Sequence, residues 1–144
     1  RSPSRGCRRG RDQVGLIGMT ALYDGFLPGR HEIEGLGRGG FLFGGMSHIG
    51  SILALPSGIR AWTVAEAGAL TDASLEPVLA EAAAIDFLLI GTGQKLVFLP
   101  PTLRAALRAA GIHHEAMNTV SATQTYNILM GEGRKVAAAL IAIA

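Results

Sequence analysis

The chain is short of cysteine, of carboxylates in pairs and of long apolar runs, and each shortage removes a class of function. Its single cysteine, Cys7, stands among the first 18 of 144 residues. Residues 19–144 therefore contain no disulfide framework, no thiolate metal site and no cysteine nucleophile. The longest apolar run, Val136 to Ala144, has nine residues, far below the roughly 18 that suggest a membrane-spanning helix. Acidic residues are few, and no two carry a spacing that suggests glycosidase-like acid and base work. There is no Gly-x-Ser-x-Gly elbow, and the adjacent Ser47 and His48, even with Ser51 nearby, are poorly placed for proton transfer. Ser57, between Pro56 and Gly58, reads as part of a turn. The single tryptophan, Trp62, near the end of an apolar run, reads as core or rim in preference to a ligand stack.

The formal charge of +2 is misleading as a guide to partners. Residues 1–18 hold Arg1, Arg5, Arg8, Arg9 and Arg11 against Asp12 alone. Without them 8 of the 13 basic and 10 of the 11 acidic residues are left, a balance of −2. No basic groove for nucleic acid is expected on residues 19–144. The basic leader has three readings. It is upstream or vector-derived sequence ahead of Met19, or an organellar targeting segment, which is also rich in Arg and Ser and poor in acids, or a disordered arm for anionic surfaces. With 49% hydrophobic and 17% charged residues in the chain, the remainder has the composition of one globular domain over 19–144.

Two rhythms follow one another along that domain. Residues 20–63 alternate short apolar runs with glycine, and strands are expected at 33–36, 40–43, 47–55 and 58–62. The turn at Pro56-Ser57-Gly58 combines a preset φ with a residue that tolerates positive φ. This half reads as a β meander. From residue 74 onward the pattern alternates helix and strand. Thr71 or Ser74 caps a helix over about 74–84, with Pro77 tolerable only near its first turn. An apolar strand spans 85–90, and Pro100-Pro101 opens a helix over 102–110 that Gly111 stops. A strand at 112–117, a helix from Thr119 or Ser121 to about Met130, and a strand over 136–143 complete the chain. Strands that are apolar without alternation are buried on both faces, and single intervening helices make them parallel. The expected fold is α/β, three-layered, with a central mixed sheet, a C-terminal βαβαβ unit and an N-terminal β meander that extends and partly covers the sheet.

Two segments carry the candidate site. Leu88–Gly93, LLIGTG, is a buried strand ending in a glycine-rich turn, where a ligand can approach the backbone at the carboxyl edge of a sheet. It lacks the Gly-Lys-Ser/Thr of a phosphate loop and the third glycine of a dinucleotide fingerprint. A tight strand-to-loop turn explains it equally well. Met117–Asn127 lies at the end of the adjacent strand, and Asn118, Thr119, Ser121 and Thr125 are expected to face the Gly91–Gly93 loop. They would bind a small anion or polar ligand there, or serve only as helix caps. His113-His114-Glu115 does not read as a metal site: neighbours on a strand point to opposite faces, and two shared ligands are too few.

Four ordered segments resemble a known family: SILALPSGIRAW from Ser51 to Trp62, LLIGTG from Leu88, the helix between Pro100 and Gly111, and the run from Met117 to Ile143. They are similar to the small proteins related to mitochondrial complex I assembly factor 3 and to the adipogenesis-associated domain protein, over about residues 28–143. The resemblance implies a three-layer fold around a mixed sheet, and it implies no catalytic residue and no cofactor. The mitochondrial members look like assembly factors that act on subunits of the respiratory NADH dehydrogenase. The matching surface is Gly91, Thr92, Gly93, Thr119, Thr125, Tyr126 and Asn127, with Glu132-Gly133-Arg134 as a turn. The chain departs from the family pattern at Asn118, Val120 and Ser121, where an acid and small residues are common, which weighs against a charge-based ligand role.

The leading expectation is therefore a non-enzymatic binding or assembly module whose strand-end cleft engages a polypeptide or small ligand, with respiratory NADH dehydrogenase subunits or other proteins as partners. An enzyme or carrier that binds a small anionic ligand at the same edge is the alternative. A homodimer through exposed apolar or edge-strand surface is a third. The expected location is the bacterial cytoplasm, or the mitochondrial matrix in a eukaryote. No catalytic residue, metal or cofactor is assigned.

Overall fold

The structure is a computed structural model that describes residues 25–143; the leader and Met19 lie outside the described residues. Nine strands and three α-helices follow in order: β1 (Phe26–Pro28), β2 (Ile33–Gly37), β3 (Gly40–Phe43), β4 (Met46–Ile49), β5 (Ser51–Leu55), β6 (Gly58–Trp62), α1 (Glu76–Ala80), β7 (Phe87–Gly91), α2 (Pro101–Ala109), β8 (His113–Met117), α3 (Thr119–Gly131) and β9 (Val136–Leu140) among the described residues. A six-stranded sheet has the order β1-β6-β5-β9-β7-β8, and β2-β3-β4 form a separate three-stranded sheet. Strand β9 pairs parallel with β7 and antiparallel with β5, and β7 pairs parallel with β8. The C-terminal βαβαβ unit is present, and the N-terminal strands both extend its sheet and cover it.

Side-chain alternation along the central strands sorts the core into two layers. Leu53, Leu55, Leu88, Ile90, Ala137 and Ala139 point to the face covered by α1 and α2, which contribute Val78, Leu103 and Leu107. Ile52, Ala54, Leu89, Val136, Ala138 and Leu140 point to the opposite face, covered by α3 and the small sheet through Ala122, Tyr126, Ile33, Phe41 and Phe43. The result is the expected three layers. Strand β9, VAAAL, has weak intrinsic strand preference in its alanines, yet it sits at the sheet centre with every residue buried. Burial on both faces outweighs propensity here, and small side chains let α3 lie close to the sheet.

Four local expectations need correction. Residues 47–55 are two strands that belong to different sheets. Gly50, with φ of 109°, turns the chain between them. Strand β1 is additional to the expected ones. It is three residues long and lies at the sheet edge, the position in a sheet that tolerates Pro28. The helix expected over 74–84 is a 3₁₀ turn, a five-residue α1 and another 3₁₀ turn. Its break falls at Glu81, whose carboxylate leaves the helix surface to accept from the Ser57 amide (3.0 Å) and hydroxyl (2.6 Å). Neither Thr71 nor Ser74 is an N-cap: that position is Asp72 for the first 3₁₀ turn and Leu75 for α1, without a side-chain cap bond, while Thr71 and Ser74 bond each other's amides at 3.2 and 3.0 Å just ahead of them. The last strand ends at Leu140, three residues before the expected end.

Asn127 ties the small sheet to α3. Its amide nitrogen donates to the Ile33 carbonyl at 2.8 Å and its amide oxygen accepts from the Ile33 N–H at 2.9 Å. The side chain thus occupies the place of a neighbouring strand. Asn127→Leu is expected to lower stability by about 1–3 kcal/mol, since both Ile33 groups lose a partner in a partly buried site. Chemical denaturation of the two proteins measures it, and hydrogen exchange should localise the loosening to β2 and β3.

Candidate functional site

The carboxyl ends of the parallel strands β7, β8 and β9 meet at Gly91, Met117 and Leu140, which are matched in register. Thr119, the first residue of α3, is the hub of this edge. Its hydroxyl donates to the Ile141 carbonyl at 2.7 Å and accepts from the Gly93 N–H at 3.0 Å. Its own N–H donates to the Gly93 carbonyl at 2.8 Å. The approach is close enough that Gly91 tolerates no side chain: a Cβ there would stand 2.9 Å from the Thr119 Cα. Thr92 holds the loop that follows. Its hydroxyl donates to the Lys95 carbonyl at 2.7 Å and accepts from the Val97 N–H at 3.0 Å, while its amide donates to the Met117 carbonyl at 2.9 Å.

The remaining candidates of α3 serve the helix itself or its packing. Asn118 is the N-cap, accepting from the Ser121 N–H at 2.8 Å. Thr125 donates to the Ser121 carbonyl at 2.8 Å, and Thr123 donates to the Thr119 carbonyl at 2.8 Å. Tyr126 is 1% exposed and faces the core, where burial pushes its phenol above the ordinary value, with Arg30 opposing. So the fold brings Gly91, Thr92, Gly93 and Thr119 together at one edge. Ser121 and Thr125 lie along the helix, and Tyr126 and Asn127 face the core and the small sheet. Because the hydroxyls of Thr92, Thr119 and Thr125 and the amides of Thr119, Ser121 and Ala122 are already bonded internally, an anion at this edge would have to displace protein bonds.

What this edge presents outward is an open groove of about 420 Å³, lined by residues 65–68, by Gly93, Gln94, Lys95 and Val97, and by Ile141 to Ile143. Beside it the loop exposes Leu96, Val97 and Phe98 in succession, Phe98 at 84%. Leu99 then turns inward and Pro100 begins the entry to α2. Val120, on the first turn of α3, is also exposed. Single exposed apolar residues are ordinary, but three in succession on a loop fixed by the Thr92 hydroxyl form a patch. This patch is not among the sequence expectations, although the apolar run 96–99 between a glycine-rich turn and Pro100-Pro101 is visible in the sequence.

Other candidate chemistry is occupied. The Ser51 hydroxyl accepts from the Ala142 N–H at 2.9 Å, and Ser57 is held by Glu81. The His48 ring packs 6.4 Å from that of Phe43, and burial pushes its imidazole below the ordinary value against a hydrogen bond to the Ser51 main chain. Among the described residues no group of three or more His, Cys, Asp or Glu is placed to hold a metal, and no helix is long and apolar enough to cross a membrane.

A mixed six-stranded sheet between two helices on one face and a helix with a small sheet on the other defines a class of three-layer α/β domains, here with an apolar patch at the carboxyl edge. The chain belongs to the family described as protein of unknown function DUF498/DUF598, whose model matches residues 33–141. An uncharacterized protein of Rhodobacter capsulatus is 36% identical over 123 residues, covering 85% of this chain and 93% of that protein. NADH dehydrogenase (ubiquinone) 1 alpha subcomplex assembly factor 3 of Rattus norvegicus is 32% identical over 143 residues, covering 98% of this chain and 77% of that protein. Among solved structures, one described as an outer membrane protein from Bartonella henselae is 43% identical with a TM-score of 0.79, over 81% of this chain and 98% of that one. A Bordetella pertussis protein described as a Mth938-like domain is 28% identical with a TM-score of 0.69, over 85% of this chain and 92% of that one.

Proposed function

We propose that this chain is a non-enzymatic binding module that acts in the assembly of a respiratory NADH dehydrogenase, engaging a polypeptide subunit at the carboxyl edge of β7 to β9. The observation that carries the reading is the Leu96-Val97-Phe98 patch beside the groove. An aromatic anchor on a braced loop, next to a concave surface, has the character of a protein-binding hot spot. The rat relative is named as an assembly factor of that enzyme, which supplies the partner class. Of the candidate residues, Gly93 would meet the partner directly together with Gln94 and Lys95, while Gly91, Thr92 and Thr119 hold the surface in shape.

The test is affinity purification of the C-terminally tagged protein from its native cells after mild crosslinking, with mass spectrometry of what is recovered. NADH dehydrogenase subunits are expected with the natural sequence. Phe98→Asp should reduce their recovery by about ten-fold, the equivalent of about 1.4 kcal/mol at an anchor position. The variant should stay folded, because Phe98 is the most exposed of the large apolar residues described. Equal recovery by both proteins would remove the patch from the account.

A further inference from the structure

The same parallel strands have an amino end, and its chemistry is different. Helix α2 turns Leu103 and Leu107 inward and leaves Arg104 and Arg108 exposed, one helical turn apart. Strand β8 begins beside them with His113 and His114. Arg108, His113 and His114 line an open cavity of about 290 Å³ whose remaining wall is Phe87 and Ile112. Among the described residues neither arginine has a hydrogen-bond or ion-pair partner for its side chain. The acids nearest in sequence, Asp86 before β7 and Glu115 on β8, pair with neither of them. Four basic side chains thus gather at or beside one cavity with no carboxylate paired to the arginines, and Asp86, just ahead of Phe87, accepts from the His113 N–H through its main-chain carbonyl at 3.3 Å.

We propose that Arg104, Arg108, His113 and His114 form a binding site for the phosphate dianion of a small soluble molecule. Two guanidiniums one turn apart present paired N–H donors suited to a multiply charged tetrahedral group, whereas a single carboxylate is satisfied by one guanidinium. The imidazoles add donors from a second direction, off the start of β8. Phe87 and Ile112 give an apolar wall for a short organic part. The volume lies near the lower end of the roughly 300–1,000 Å³ of small-molecule sites. Burial, and then the charges of Arg108, Arg104 and His113, hold the His114 imidazole below its ordinary value, with a hydrogen bond to the Ile112 main chain opposing. An arriving dianion favours its protonated form, so binding strengthens as pH falls. This site lies at the opposite end of the sheet from the apolar patch and does not depend on the assembly reading.

Sulfate, which stays a dianion across the range, and inorganic phosphate serve as probes. Each is titrated into the intact protein at constant ionic strength while backbone and imidazole chemical shifts are followed. Saturable shifts confined to residues 104–115 are expected, with tighter sulfate binding at about pH 6 than at about pH 8 as the His114 imidazole charges. Arg104→Ala with Arg108→Ala should weaken binding by at least about ten-fold at an unchanged melting temperature, since both side chains are exposed and unpaired. The double lysine variant keeps the charge but loses the paired donors, and should fall between the two. No saturable shift with either anion, shifts centred elsewhere, or equal binding by the double alanine variant would overturn the proposal. Sedimentation with phosphatidylglycerol vesicles without a response to soluble anions would overturn it too, by assigning the arginines to a lipid surface.

Discussion

Leu89→Asp leaves no folded protein. Leu89 is fully buried at the centre of β7, a strand paired on both sides, and its side chain enters the layer beneath α3 with Ala122, Tyr126 and Ala138. A leucine in that position contributes about 1.5–3 kcal/mol by burial alone. An aspartate there loses that contribution and also carries a carboxylate out of water with no buried base in the cluster to receive it. The cost of an unpaired polar or charged group is several kcal/mol on its own, against a total stability of about 5–15 kcal/mol for a typical domain. Loss of amide dispersion in the NMR spectrum and of the cooperative thermal transition is the expected outcome. A dispersed spectrum with a cooperative melt would mean that β7 does not run through the core.

Thr119→Val is the second large effect, and it tests the edge where the candidate site is built. Valine keeps the shape and the β-branching of threonine, so packing and helix entry change little. What is lost is the hydroxyl that donates to Ile141 and accepts from Gly93. The residue is fully buried and Ile141 is 2% exposed, so water does not replace the bond to that carbonyl, whereas the Gly93 amide is only partly buried. The buried carbonyl loses its partner at about 1–3 kcal/mol and the part-buried amide adds about 1 kcal/mol, which places the total near 2–4 kcal/mol. Chemical denaturation should show it, and hydrogen exchange should show Gly93 and Ile141 opening before the sheet does. Thr119→Ser, which retains the hydroxyl, should recover most of the difference. An effect below about 1 kcal/mol would mean that the hub is not a structural necessity.

Both residues lie in the half of the chain whose fold is easiest to read. Apolar strands of five or six residues separated by single helices announce the parallel unit, because burial on both faces leaves no room for polar alternation. Glycine and proline mark the helix ends: α2 opens at Pro101 and stops before Gly111. The meander is harder. Two strands of different sheets run together through Ser47–Leu55, and only the positive φ of Gly50 separates them, a feature that composition does not reveal. The helix after Thr71 breaks because the Glu81 side chain bonds Ser57, a contact across 24 residues that no local propensity carries.

The candidate edge is legible in part. Gly91, Thr92, Gly93 and Thr119 do come together, because a glycine-rich strand end and a helix start on adjacent parallel strands must lie side by side. Tyr126 and Asn127 belong to the helix faces that meet the core and Ile33. Helical periodicity alone places Tyr126 inward, seven residues on from Thr119 and four from Ala122. The exposed patch is hidden for a different reason. Residues 96–99 have the composition of a buried strand, and exposure follows from the Thr92 hydroxyl bonds that turn the loop outward.

The most direct measurement places a photo-crosslinking amino acid at position 98, and in a second protein at position 104, then irradiates native cells and identifies the adducts by mass spectrometry. Adducts with a subunit of the respiratory NADH dehydrogenase are expected from position 98 and none with that subunit from position 104, on the exposed side of α2. Adducts with such a subunit from position 104 but not 98, or none from either, would contradict the assignment of the carboxyl edge as the docking surface.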